Sequence, residues 1–130
     1  MIALDTNVLV RLFTEDDPLQ ARRAENLLRG EDGPFFLPDL VLAELVWVLQ
    51  RSYEFTRDEV RAAILALLEL RDVVFEDEEG IRNALRAYEE GLDFADGLIL
   101  ARARAAGCSQ LASFDGRLKA HDPRFVVKLS

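Results

Sequence analysis

The sequence predicts an α/β protein organised around a parallel sheet. Short, continuous apolar runs recur along the chain, each is followed by a helical pattern with its own start and stop residues, and no Pro-, Gly- or Ser-rich linker interrupts the 130 residues. Continuous rather than alternating apolar runs mark strands buried on both faces, as a parallel sheet with helices on both sides requires. Ile2-Ala3-Leu4 is the first such run and ends on Asp5, and residues 8–13 form a short helix. Asp17-Pro18-Leu19-Gln20 opens the next helix, with Asp at the cap, Pro where a missing N–H costs nothing and Gln three residues after the cap. Ala21, Ala24, Leu27 and Leu28 give that helix one apolar face, and Gly30 stops it.

Phe35-Phe36-Leu37 is the second strand, closed by Pro38, and a helix follows from residue 39 to about residue 52. Thr56-Arg57-Asp58-Glu59 is a capping box, opening a helix with Val60, Ala63, Ile64, Leu67, Leu68 and Leu70 on or near its buried side. Val73-Val74-Phe75 is the third strand. Asp77-Glu78-Glu79 puts negative charge on the first turn of a helix that runs to about residue 90 and ends at Gly91. Asp93 caps the following helix, which carries Leu98, Ile99 and Ala103 and terminates at Gly107. Residues 110–113 form the fourth strand and 125–127 the fifth.

A chain of this length is expected to be one domain, residues 1–130, large enough for its own core. Half of the residues are hydrophobic and 31% charged, the composition of a globular protein. The single cysteine, Cys108, excludes an intramolecular disulfide and a multi-Cys zinc site, and the single histidine, His121, excludes His-based zinc hydrolysis. The start Met1-Ile2-Ala3-Leu4-Asp5 has no basic leader pattern, and residues 40–49, interrupted by Glu44, are about half the ~20 residues that span a bilayer, so a cytoplasmic protein is expected. A net charge of −8 argues against a basic nucleic-acid coat and against a surface held to anionic lipid. The chemistry is left to carboxylates.

In open parallel sheets, sites form beyond the carboxyl ends of the strands. Asp5 follows the first strand directly, and Asp115 lies two residues beyond Ser113 at the end of the fourth. Each could equally be a helix cap or a turn residue. Glu44 lies within Leu40-Val41-Leu42-Ala43-Glu44-Leu45-Val46-Trp47-Val48-Leu49, a helix apolar on nearly every face. There an unpaired carboxylate is expected to be protonated, paired or bound to a cation, unless it occupies a narrow solvated stripe. Asp93 and Asp96 open the helix Asp93-Phe94-Ala95-Asp96-Gly97-Leu98-Ile99. Carboxylates that converge without lysine repel one another, and a divalent cation reverses that. Oxygen ligands select Mg²⁺, or Mn²⁺ as its substitute, over zinc.

Four segments, Ile2-Ala3-Leu4-Asp5-Thr6-Asn7-Val8-Leu9, Leu42-Ala43-Glu44-Leu45, Asp93-Phe94-Ala95-Asp96-Gly97-Leu98-Ile99 and Ser113-Phe114-Asp115, occur in order across essentially the whole chain. Together they resemble the PIN-domain family, specifically the VapC-like ribonuclease toxins of toxin–antitoxin systems. The resemblance implies one PIN-like domain with a central five-stranded parallel sheet and helices on both faces. It also implies a metal-dependent endoribonuclease, a homodimer, inhibited by a cognate antitoxin protein. Asp5, Glu44, Asp96 and Asp115 are then the catalytic acids and the ligands of one or two Mg²⁺ ions, which activate a water for in-line attack on an RNA phosphodiester. Thr6, Asn7 and Ser113 correspond to groups that orient the acids or the water, and Asp93 to a commonly acidic position whose capping role carries more weight than metal binding.

Charge is unevenly spread. Residues 72–96 hold nine acids against Arg82 and Arg86, and residues 97–130 hold six bases against Asp115 and Asp122. Arg11, Arg102, Arg104, Arg117 and Lys119 are therefore candidates for phosphate contacts, against the plainer reading of a solvated face. The apolarity of residues 40–49 and 60–70 points to a dimer or partner surface. Two other enzyme classes place an Asp after a strand. A haloacid-dehalogenase-like phosphatase needs a second Asp where this chain has Asn7, a receiver-type signalling domain needs a lysine after the last strand, and neither uses Glu44. A non-catalytic PIN-like binding module is the remaining alternative, and its mark would be loss of one of the acids.

Overall fold

The computed structural model describes residues 1–130 as seven helices and five strands. They group into two compact units, Met1–Glu76 and Asp77–Ser130. No helix is long and apolar enough to cross a membrane.

The first unit runs β1 (Ile2–Ala3), α1 (Thr6–Phe13), α2 (Pro18–Arg29), β2 (Phe35–Leu37), α3 (Asp39–Tyr53), α4 (Arg57–Leu68) and β3 (Val73–Phe75). Its sheet has the order β1-β2-β3 with both pairs parallel, Ile2 opposite Phe35 and Phe35 opposite Val73. The most apolar run takes the centre: Phe35 and Leu37 of β2 are fully buried, whereas both residues of β1 are exposed. Leu42, Leu45, Val46 and Leu49 form the buried stripe of α3 at helical spacing, and Val60, Ala63, Ile64 and Leu67 that of α4. Most of the apolar excess of these two helices is thus consumed inside the chain, leaving Leu40, Trp47 and Leu70 exposed. The capping box at Thr56 is complete, with Thr56 Oγ1 accepting from Glu59 N–H and Glu59 Oε1 from Thr56 N–H. Asp17 caps α2 by accepting from Gln20 N–H at 3.0 Å. The Gln20 side chain instead accepts from Arg11 Nε, at 2.8 Å.

The second unit runs α5 (Glu78–Glu89), α6 (Phe94–Ala105), β4 (Leu111–Ser113), α7 (Gly116–His121) and β5 (Val126–Lys128). Strands β4 and β5 pair in parallel, with Leu111 opposite Val126 and Ser113 opposite Lys128. Helices α5 and α6 approach so closely at Gly97 that a Cβ there would lie 3.0 Å from the Ala84 Cα and 3.1 Å from its carbonyl oxygen. Phe94 meets Tyr88 edge to face, with ring centroids 6.2 Å apart and both side chains buried. Asp77 at the start of α5 accepts from Arg102 Nη1 at 2.9 Å, a bond that, more than any other contact, holds the Asp77 carboxyl below the usual carboxylate range. A second apolar cluster of Ala87, Leu92, Leu100, Leu118, Phe125 and Val126 seats α7 and β5 on the helix pair. Gly91 and Gly107 sit at φ 106° and 83°, the left-handed backbone that ends α5 and α6 at the expected residues.

The strands pair in parallel as a three-stranded sheet in the first unit and a two-stranded sheet in the second. Each strand is two or three residues long, so helix packing contributes more than ladder bonds to holding either unit together. Helix α7 is absent from the sequence reading, because six residues are too few to show helical periodicity. Asp93 occupies the N-cap position of α6 with extended backbone, but its side chain accepts no capping bond.

Candidate active site

The first unit carries Asp5 and Glu44. Asp5 follows β1 and caps α1, its Oδ1 accepting from Thr6 N–H at 2.8 Å. This bond explains why α1 starts at Thr6, two residues earlier than periodicity indicates. Thr6 is buried, and its Oγ1 has no hydrogen-bond partner, which is unusual for a hydroxyl away from water. Asn7, the next residue, is exposed.

Glu44 departs from expectation. It is exposed, on the opposite side of α3 from the buried stripe, in a row with Leu40 (79% exposed) and Trp47 (58%). The guanidinium of Arg51 lies over the Trp47 ring, 5.7 Å from its centroid. Glu44 is thus exposed instead of buried, since two well-spaced apolar rows suffice to bury one side of the helix. It follows that Glu44→Gln should leave the unfolding free energy within about 0.5 kcal/mol of the parent, the usual range for surface substitutions. A loss of 3 kcal/mol or more on chemical denaturation, of the order of removing one partner from a buried ion pair, would instead require Glu44 to be buried and paired.

The second unit brings three carboxylates together. Asp96, on the first turn of α6, is partly buried, and its pKa is raised above the ordinary value, first by desolvation and then by the charges of Asp93 and Asp115. No cation contributes to that balance. Asp115 caps α7 by accepting from Arg117 N–H at 2.7 Å, while its own N–H donates to Ser113 Oγ at 3.0 Å. The expected orienting role of Ser113 thus has a physical form, a hydrogen bond to the Asp115 backbone. Asp93 joins this group as a charge facing Asp96 instead of as a cap.

Four of the five cations nominated for phosphate are occupied. Arg11 donates to Asp16 at 2.7 Å and to Gln20, and Tyr53 and Arg11 hold the Asp16 carboxyl below the usual carboxylate range. Arg102 pairs with Asp77. Arg104 pairs with Asp122 and stacks over the Phe125 ring at 4.1 Å. Lys119 Nζ donates to the carbonyls of Pro123 and Val126 at 2.7 and 3.0 Å. These side chains hold helix ends and loops in place. Arg117 alone keeps an exposed, unpaired side chain, along a cleft of about 430 Å³ lined also by Glu90, Gly91, Leu92, Ala120 and His121.

Two residues beside Asp115 escaped the sequence reading. Phe114 is 71% exposed, and Lys128 is exposed with its Cε 4.0 Å from the point a Cβ on Gly116 would occupy. Phe114 lies inside a quoted motif but its exposure has no sequence signal. Lys128 reaches α7 only through the parallel β4–β5 register.

A sheet-and-helix α/β protein with carboxylates at strand ends and on helix first turns is the class defined so far. A family model for the PIN domain matches residues 2–122, and the chain belongs to that family. It is similar to the VapC ribonuclease of Aquifex aeolicus (strain VF5), 27% identical over 124 residues that cover 92% of this chain and 90% of that one. Among solved structures it is similar to VapC20 of Mycobacterium tuberculosis, described as a sarcin-ricin loop cleaving toxin. That match has 21% identity and a TM-score of 0.45, and covers 94% of this chain and 95% of that one.

Proposed function

We propose that the chain is an endoribonuclease dependent on Mg²⁺, with Mn²⁺ as its substitute, and that it acts as the toxin of a VapBC-type pair. The observation that carries this reading is the group Asp93, Asp96 and Asp115, three carboxylates within electrostatic reach of one another, with Asp96 partly buried and no cation offsetting it. Such a group lowers the stability of the empty protein and favours a hard dication. No three His, Cys, Asp or Glu side chains form a ready-made cage.

Asp96 and Asp115 are the residues of the second unit that would hold the ion, and Asp5 and Glu44 enter the same role through the family resemblance. A bound dication supplies an activated water and offsets charge developing on the phosphate. The chain's own part is to orient: Ser113 and the α7 backbone hold Asp115 from both sides, and the α5–α6 contact sets the position of Asp96. The similarity to a VapC ribonuclease supports RNA as substrate, and the resemblance of the four acid-bearing segments to toxin–antitoxin ribonucleases supports an antitoxin as partner. The exposed Leu40–Trp47 row supports a homodimer or the antitoxin as its cover.

Cleavage of single-stranded and loop RNAs with Mg²⁺ or Mn²⁺, and with EDTA, tests the reading, together with growth on expression of the chain alone and with the adjacent gene. Cutting is expected only with metal, and growth arrest only without the partner. Undiminished cutting in EDTA would overturn the metal assignment, and unimpaired growth with abundant folded protein would overturn the toxin assignment.

A further inference from the structure

The geometry points to a strand-binding subsite beside Asp115, in which Phe114 stacks a nucleobase and Arg117 and Lys128 take the flanking phosphates. The inference rests on the ribonuclease reading above and names the residues that hold its substrate. Three independent observations converge on this spot. Phe114 is 71% exposed just past β4, whose own residues are half-buried or exposed, so burial does not account for a phenylalanine there. Arg117 is exposed and makes no ion pair, while Arg102, Arg104 and Lys119 in the same unit are all tied to protein oxygens. Lys128, also exposed and unpaired, stands opposite Ser113 in the β4–β5 ladder and reaches Gly116, so a second free cation flanks the same acid.

An exposed ring next to Asp115 in the chain, with Arg117 and Lys128 free in the same unit, matches how single strands are bound: the ring accepts any base face, and each cation displaces counterions from a phosphate. The cleft along Arg117 is lined also by Glu90 and by the Gly91-Leu92 turn that leads into Asp93. His121 in that cleft faces Glu90 at 3.6 Å, which leaves Arg117 as the cation there with no acid against it.

The test measures both cleavage and binding. Steady-state cleavage is followed for the parent and for Phe114→Ala, Phe114→Trp, Arg117→Ala and Lys128→Ala. Fluorescein-labelled oligo(A) and oligo(U) are bound to each variant in an Asp96→Asn background, where the strand stays intact. Phe114→Ala is expected to raise KM and Kd about tenfold with kcat kept within about twofold, and Phe114→Trp to restore both. Each cation variant is expected to weaken binding to both oligomers alike and to reduce the slope of log K against log salt by about 0.7, one phosphate's share on a single strand. A parent that cleaves RNA while these variants keep its KM, Kd and salt slope would overturn the subsite and leave the ribonuclease reading intact. Altered oligomeric state with unchanged KM would likewise overturn it, making Phe114 a protein contact. A parent that neither binds nor cleaves overturns both.

Discussion

Asp96→Asn is expected to abolish cleavage while making the metal-free protein more stable. The two effects have one cause. The Asp96 carboxyl is partly buried and faces Asp93 and Asp115, so its charge is disfavoured until a cation arrives. Asparagine keeps the shape and removes the charge, but its amide oxygen is a poorer ligand for a hard dication. The turnover number should fall by a factor of about 10²–10³, similar to the loss of one preorganised charge-stabilising group in other active sites. The rise in melting temperature given by saturating Mg²⁺ should shrink, since ligand stabilisation follows RT ln(1 + [L]/Kd).

The sign of the stability change is set by the direction of the pKa shift. A carboxyl whose folded pKa is raised favours the fold below its unfolded value, near 3.8, and that contribution is lost as pH rises through the folded value. The advantage of Asn over Asp is therefore largest at neutral pH and disappears in acid. Thermal melts of both proteins at neutral and acid pH, with and without Mg²⁺, check all three outcomes. A destabilised variant cleaving at the parental rate would remove Asp96 from the site.

The largest loss of stability is expected at Phe94. Its side chain is fully buried, packs edge to face on Tyr88, and stands between Asp93 and Asp96 in sequence. Phe94→Ala should cost about 3–5 kcal/mol in urea denaturation, the range for removing a buried aromatic ring and leaving a cavity. Phe94→Leu, which fills most of the volume, should cost about half as much or less. The same ring fixes where the first turn of α6 begins. Activity should therefore fall further than the unfolded fraction accounts for in Phe94→Ala, and return with Phe94→Leu. Loss of under about 1 kcal/mol for the alanine variant would show that Phe94 anchors neither the α5–α6 pair nor the acids beside it.

All five strands and six of the seven helices were legible in the residues, because their signals are local. Apolar runs, the capping box at Thr56, the Asp17-Pro18 start and the glycines at 91 and 107 act through backbone geometry within a few residues. Asp5, Asp93, Asp96 and Asp115 were legible for the same reason, since they follow strands or open helices, and Glu44 by the apolar residues around it in α3. Their surroundings depend on distant packing. Glu44 is exposed because α3 buries one stripe and turns Leu40, Glu44 and Trp47 outward, a choice made by what packs against the other side. Four nominated cations proved to be internal braces, since their acids and carbonyls lie up to 25 residues away, as with Arg102 and Asp77.

The sequence by itself determined the α/β class, the order of elements and the identity of the carboxylates, because period, caps and breakers are read over one or two turns of chain. Only the tertiary structure decided how the strands pair, in groups of three and two, and which charges face one another. It turned the Asp93 charge toward Asp96 without a side-chain capping bond, and it left Arg117, Lys128 and Phe114 free in the unit that holds Asp115. The physical reason is range. Backbone hydrogen bonds at helix ends are settled among neighbours, whereas desolvation, ion pairing and strand register depend on residues that only the folded chain brings within a few ångströms.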